Sequence, residues 1–439
     1  MIEALLERFE IHPDVAQAAR RAQARVVRTD LHAAIRDRVE TKVLAAFLAE
    51  GITQSDLTGT LGYGYGDAAR DCYESLLARV LGAERALARL SLVSGTHAIV
   101  TALAACVPPG CLLVSATGRP YDTLRNAIVE APGSLQAQGV AYEEVALLAD
   151  GSVDLERLAA LCEREKPAAV FIQRSRGYAP RPSLSALACG EVVAAVKRAA
   201  PDSIVIVDNC YGELVDATEP TDHGADLIAG SLIKNLGGSL APGGAYVAGR
   251  AELVERVAVR HYAPGLGAAV GSSLGLGRAF VQGLFQAPLI VREALAGLDF
   301  SAALFAELGV PVDPPAQAER HDIVQAIRLG SRGALIAFAR GLQRAMPLDA
   351  RFIPEPGPVP GYAEPVIMSS GAFVSGATIE LSCDAPLREP FEVYLQGGTS
   401  RRHAALGILF AADRLAHESV LPVAKRGPDG EQRSETAHT

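Results

Sequence analysis

The chain of 439 residues has no CxxC pair, no apolar run long enough to cross a membrane and no surplus of basic residues. Each absence removes a class of function. Its seven cysteines (Cys72, Cys106, Cys111, Cys162, Cys189, Cys210 and Cys383) are scattered and odd in number, which argues against a disulfide framework and against a zinc site, so no metal is expected. Although 49% of the residues are hydrophobic, Gly, Pro or a charge interrupts every apolar segment short of the ~20 residues a membrane span requires. The opening MIEALLERFEIHPD carries acidic residues where a signal peptide needs an apolar core, and a cytoplasmic address is the expectation. A formal net charge of -9 disfavours nonspecific nucleic-acid binding, which depends on clustered Lys and Arg. Neither nucleic acid nor membrane is therefore an expected partner.

What is present is an alternation of helical and strand-like stretches long enough for two to three domains. Residues 2–10 and 15–48 read as helix, with Pro13 past a break and Asp14 able to cap the second stretch. This helical arm, residues 1–55, can pack on a partner subunit or fold back on its own chain, and periodicity does not choose. Glycines in LTGTLGYGYGD (57–67) hold Tyr63 and Tyr65 on a turning loop, and a helix comes next over 67–81. The segment SLVSGTHAIVTALAA (91–105) predicts a short strand, a Ser-Gly-Thr turn and a helix beginning near His97. The unpaired N–H groups of such a helix start make Gly95, Thr96 and His97 a candidate phosphate cradle, with the Ser94 and Thr96 hydroxyls in reach; an ordinary N-cap is the alternative. A strand over 112–115 then carries a polar loop with Tyr121 at its carboxyl end, where ligands sit in open α/β sheets.

From residue 129 to 200 the βα rhythm of a parallel sheet continues, with a helix over 153–165, a strand over 168–173 and a helix over 184–199. Gln173, Arg174, Ser175 and Arg176 lie at the carboxyl end of that strand. Its two arginines are candidates for a carboxylate or phosphate, against the alternative of solvated loop residues. The run Ile204 to Val207 ends on Asp208 in VDNCYGE, and a second apolar run delivers Lys234 inside GSLIKNLGG, with Ser231 three residues ahead. A strand-end carboxylate and a lysine in a small-residue loop suit pyridoxal phosphate: the aspartate keeps the pyridine nitrogen protonated and the lysine amine forms the aldimine. APGGAYVAG reads as a strand returning to the sheet. A glycine-rich stretch (264–283) and a helix over 286–307 leave a large domain assigned to 56–290. Strand patterns at 322–330, 377–384 and 392–398 and helices near 335–345 and up to 417 then make a smaller α+β domain over 291–421, bearing Glu380, Asp384 and Arg388. Residues 422–439 read as a disordered tail.

Taken together, GYGYGDAARD, SGTHAI, TGRPYDTL, QRSRGY, VDNCYGE, GSLIKNLGG, VIMSSGAF, IELSCDAP and QGGTSRRH resemble the methionine gamma-lyase-like family, also labelled aluminium resistance protein or cystathionine beta-lyase-like, from about residue 40 to about residue 412. The resemblance implies fold type I of the pyridoxal-phosphate enzymes, a large mostly parallel α/β domain with a smaller C-terminal α+β domain, and a homodimer or homotetramer with the active site between subunits. It implies catalytic roles for Lys234, Asp208 and Tyr121, the last stacked on the cofactor ring. It also implies phosphate contacts from Gly95, Thr96 and Ser231, and Tyr63 or Tyr65 reaching a neighbouring subunit. Where related gamma-lyases carry Ser-x-Thr-Lys, this chain has Ser231, Leu232, Ile233 and Lys234, so one hydroxyl is missing. The implied activity is carbon-sulfur lysis of a sulfur-containing amino acid to a thiol, a keto acid and ammonia, with Lys234, poised by a lowered pKa, removing the Cα proton and Arg174, Arg176 or Arg388 holding the substrate carboxylate. Another reaction type on the same cofactor (aminotransferase, aldolase or decarboxylase) and a non-catalytic stress-response role remain open.

Overall fold

The computed structural model describes residues 2–26 and 33–421. The expected tail at 422–439, and the middle of the helix expected over 15–48, lie outside them. Its helices are α1 (Glu3–Arg8), α2 (Pro13–Val26), α3 (Ala33–Glu50), α4 (Ala68–Val80), α5 (Gly95–Cys106), α6 (Asp122–Arg125), α7 (Leu155–Glu165), α8 (Ala186–Ala199), α9 (Ala251–His261), α10 (Gly277–Glu307), α11 (Arg332–Gln343) and α12 (Arg401–His417).

Strands β1 (Arg85–Arg89), β2 (Leu112–Ser115), β3 (Ala141–Glu144), β4 (Ala169–Gln173), β5 (Ile204–Asp208), β6 (Leu227–Ser231) and β7 (Ala245–Gly249) form one sheet in the order β1-β7-β6-β5-β4-β2-β3. Strands β2 to β6 pair in parallel, and β7 runs antiparallel to both β6 and β1. The central strands are apolar on both faces because helices cover both. Phe171, Ile206 and Ala229 face α5 and α9, while Val170, Ile172, Val205, Val207 and Ile228 face α7 and α8. The parallel register pairs Gln173 with Asp208 and Asp208 with Ala229, which brings the ends of β4, β5 and β6 to one edge.

A second, antiparallel sheet of β8 (Val312–Asp313), β9 (Val324–Arg328), β10 (Val366–Ser370), β11 (Ser382–Pro386) and β12 (Glu392–Gln396) has the order β10-β11-β12-β9-β8 and packs on α11. The arm turns to its own chain: α2 buries Val15, Ala18, Ala19 and Ala22 and packs on α10 and α12. Asp14 lies in the first turn of α2, which starts on Pro13, rather than ahead of it.

Three expectations shift. The strand expected at 91–93 lies earlier, at Arg85–Arg89, and Ser94 caps α5 after a turn. The strand expected from 377 begins at Ser382, because Ala377 and Glu380 donate turn hydrogen bonds to the Val374 and Ala377 carbonyls. The helix expected from 286 begins at Gly277, so the boundary placed at 290 falls inside α10. Its glycines read as breakers, but Gly283 serves close packing: a Cβ there would lie 2.3 Å from the Gly237 carbonyl oxygen. That contact seats α10 directly on the loop beyond Lys234.

Candidate active site

Lys234, Asp208, Tyr121, Ser94, Gly95, Thr96 and Ser231 line one cavity of about 250 Å³ at the carboxyl edge of the large sheet. Strand β5 delivers Asp208. Burial raises its pKa, opposed by Lys234 and by the Cys210 N–H, which donates to Oδ1 at 3.0 Å. The Lys234 amine lies 3.8 Å from the centre of the Tyr211 ring. Tyr211 has φ +70°, a left-handed conformation that a bulky residue adopts only when its surroundings demand it. Part of that demand comes from Asn235, whose Nδ2 donates to the Tyr211 and Glu213 carbonyls at 3.0 and 2.8 Å and ties the lysine loop to the turn after β5.

The expectation of a lowered lysine pKa is corrected. Burial works against the ammonium, but Cys210, Tyr211, Asp208 and Tyr121 together hold Lys234 well above the ordinary lysine value. The partly exposed amine is thereby held in its protonated form, in the same cavity as Asp208.

In the same cavity, Ser94 caps α5 by accepting the His97 N–H at 3.1 Å, which leaves the Gly95 and Thr96 N–H groups at the helix start for an anion. Gly95 is needed there, since a Cβ would lie 3.0 Å from Cys210 Sγ and 3.4 Å from the Ser231 nitrogen. Thr96 Oγ1 and the Tyr121 hydroxyl are 2.9 Å apart, and burial raises the Tyr121 pKa well above the usual tyrosine range.

Other candidates fall elsewhere. The His97 ring accepts the Val93 N–H and packs edge-on to His261, outside the cavity. Gln173 sits beneath Tyr121: its Oε1 accepts the Tyr121 N–H and its Nε2 donates to the Ser175 carbonyl, so it positions the tyrosine loop. Arg174 is fully buried among Asp216, Glu219 and Asn209, away from the cavity, which removes it as a substrate ligand. Arg176 pairs with Asp313, and Arg388 with Asp122 and Glu364; both line a neighbouring cavity. Tyr63 and Tyr65 are 78% and 62% exposed and outside the cavity of their own chain.

Sequence reasoning missed Tyr178, Tyr211, Cys210 and Tyr362, all in the cavity wall. Tyr211 and Cys210 lie in the motif already singled out, VDNCYGE, and an aromatic just past the strand-end aspartate was the available signal. Tyr178 donates to Asp384 of β11, which also accepts from Gln396 Nε2 at 2.8 Å, and nothing local marks that contact across 206 residues.

The donor set fits pyridoxal phosphate: a buried carboxylate at a strand end, an amine in the same cavity, and a helix start opened by glycine. The methionine gamma-lyase family profile matches residues 15–416. The chain belongs to that family. It is 40% identical to YnbB of Bacillus subtilis over 88% of this chain and 93% of that protein. It is also 40% identical to the crystal structure of a carbon-sulfur lyase involved in aluminum resistance from Clostridium novyi NT, with a TM-score of 0.89 covering 94% of this chain and all of that one. The pyridoxal-5'-phosphate-dependent protein YhfS of Escherichia coli shares the fold at 19% identity and a TM-score of 0.60, covering 87% of this chain and 96% of that one. The architecture, a large mostly parallel sheet with a smaller antiparallel one, is that of fold type I.

Proposed function

We propose that this protein is a pyridoxal-phosphate-dependent carbon-sulfur lyase acting on a sulfur-containing amino acid and releasing a thiol, a keto acid and ammonia. The observation that carries the reading is the convergence of Asp208 and Lys234 in one buried cavity capped by the start of α5. Lys234 would hold the cofactor through its amine, Asp208 through the ring nitrogen, and Gly95, Thr96 and Ser231 through the phosphate. When bound, the cofactor supplies an electron sink for a carbanion at Cα.

The chain's own groups do the rest. Asp208 would keep a proton on the cofactor's ring nitrogen, and burial would make that pairing worth more than it is in water. Lys234, once its amine is free and neutral, moves the Cα proton. Tyr121, held by Thr96 and by Gln173, presents its hydroxyl to the departing group. All three arginines considered have carboxylate partners, but Arg174 and Arg176 are buried whereas Arg388, paired with Asp122 and Glu364, is partly exposed and is assigned the substrate carboxylate. The surface also supports a homodimer or homotetramer: Leu61, Tyr63 and Tyr65 project from the glycine loop, and Leu48, Phe285 and Leu289 from α3 and α10. Seven free cysteines suit a cytoplasmic, reducing compartment.

The test is an absorbance spectrum of the protein incubated with pyridoxal phosphate, before and after borohydride, beside Lys234→Ala, and then product analysis with cysteine, cystathionine and methionine. A visible band lost in the variant, with thiol, keto acid and ammonia from the native protein, supports the lyase. Keto acid formed without ammonia indicates an aminotransferase, and a coloured protein that turns over no amino acid indicates a binding role.

A further inference from the structure

Beside the Lys234 cavity, with Tyr121 and Tyr178 in the wall of both, lies a second cavity of about 380 Å³. Among the described residues no arginine lines the first, whereas Arg176, Arg181 and Arg388 line the second. Arg176 and Arg388 have carboxylate partners. Arg181 differs. It is only 6% exposed, and its guanidinium donates to the backbone carbonyls of Thr117, Ser175 and Arg176 while forming no ion pair with any described residue. Three carbonyls use three of its five N–H donors and leave one on each terminal nitrogen.

A buried guanidinium without a counter-ion is costly unless an anion meets it, and burial lowers its pKa to about 10 although Asp208 and Asp322 act on it from beyond ion-pair distance. It is still charged at neutral pH. The acids of the same cavity do not serve it: Glu392 pairs with Arg328, Asp122 with Arg388, and Glu389 sits at the exposed rim. Arg174 is the contrasting case, a fully buried arginine met by two carboxylates of its own chain. At Arg181 an anion from outside the chain has a cavity to arrive through.

Building on the lyase reading, we propose that the second cavity is a subsite for a carboxylate on the departing half of the substrate, received by Arg181. The substrate class is then an amino-acid thioether whose thiol leaving group is itself an acid, rather than one with a short uncharged alkyl group such as methionine. Planar carboxylate and planar guanidinium match in shape, which lysine would not reproduce.

The test compares S-carboxyethylcysteine with S-isopentylcysteine, which have the same shape and differ in the distal carboxylate, on the cofactor-loaded protein. The expected kcat/KM ratio is about tenfold or more in favour of the acid, as a charge-assisted hydrogen bond implies. It falls towards unity in Arg181→Gln and only partly in Arg181→Lys, which keeps the charge and serves if the first variant does not fold. Equal kcat/KM for the two substrates in the native protein overturns the subsite. If neither substrate is cleaved, the lyase reading fails separately. Calorimetry with thiodipropionate, which has no amine to react, then decides the subsite: binding lost in the Arg181 variants supports it, and no binding to the native protein overturns it.

Discussion

Asp67, at the N-cap of α4, accepts N–H groups from Thr60, Arg70 and Ser273 and the hydroxyls of Thr60 and Ser273. Asp208, at the end of β5, accepts one backbone N–H and shares a cavity with Lys234. Both carboxylates are buried. At Asp67 burial opposes ionisation but the donors outweigh it and hold the group well below the ordinary carboxylate range; at Asp208 burial wins and the pKa rises. A carboxylate whose lone pairs are filled by its own chain holds structure together, here the tyrosine loop against residues 272–273. One left underfilled beside an amine is available to something that is not part of the chain. Arg174 and Arg181 repeat the contrast with the opposite charge.

Four substitutions break or sharpen this contrast. The largest effect is expected for Asp208→Asn, which lowers kcat about 10³-fold, on the order of 4 kcal/mol, with Tm unchanged or raised; steady-state kinetics and calorimetry on one sample read both. A lowered Tm with retained activity would assign Asp208 to structure. Asp67→Asn should do the reverse, costing about 2–4 kcal/mol of stability by placing an NH₂ among donors. The native contribution of Asp67 is present above the unfolded aspartate pKa of ~3.9 and is lost as pH falls below it, so the difference in denaturant midpoint between native and variant narrows in acid.

Glu213 supplies an intermediate case. It is fully buried behind the lysine loop, accepts the Tyr246 hydroxyl at 3.1 Å, and burial raises it to about 8. A raised carboxylate binds its proton in the folded state over a range where the unfolded chain has released it, so the native protein loses stability as pH rises from ~4.5 towards 8. Glu213→Gln removes that loss: its Tm advantage should grow over the same interval, by about 1.4 kcal/mol per pH unit, and level off above it. A pH-independent difference would place Glu213 outside this account. The smallest effect is Thr96→Val, which deletes the hydrogen bond to Tyr121 and should weaken cofactor retention about fivefold, or ~1 kcal/mol, read by equilibrium dialysis.

Much of the candidate site was legible because parallel strands buried on both faces give unbroken apolar runs, and each run hands its last residue to the same edge. Asp208, Ser231 and Lys234 were found this way, and Ser94 to Thr96 by the turn before a helix. His97 was misplaced because a helix start shows which N–H groups are free but not which way the side chain turns. Arg174 was a candidate because its loop position is the same as that of Arg176; only Asp216 and Glu219, some forty residues on, distinguish the two.

The sequence by itself determined the strand and helix order, the placing of the lysine and aspartate at one sheet edge and the family, since these depend on local period, turn composition and a set of motifs in one chain order. Tertiary structure decided which buried charges have partners. Tyr178 meets Asp384, Arg174 meets two carboxylates and Arg181 pairs with none of the described residues, because charge compensation depends on distances between segments far apart in the chain, and no local pattern of residues encodes those distances.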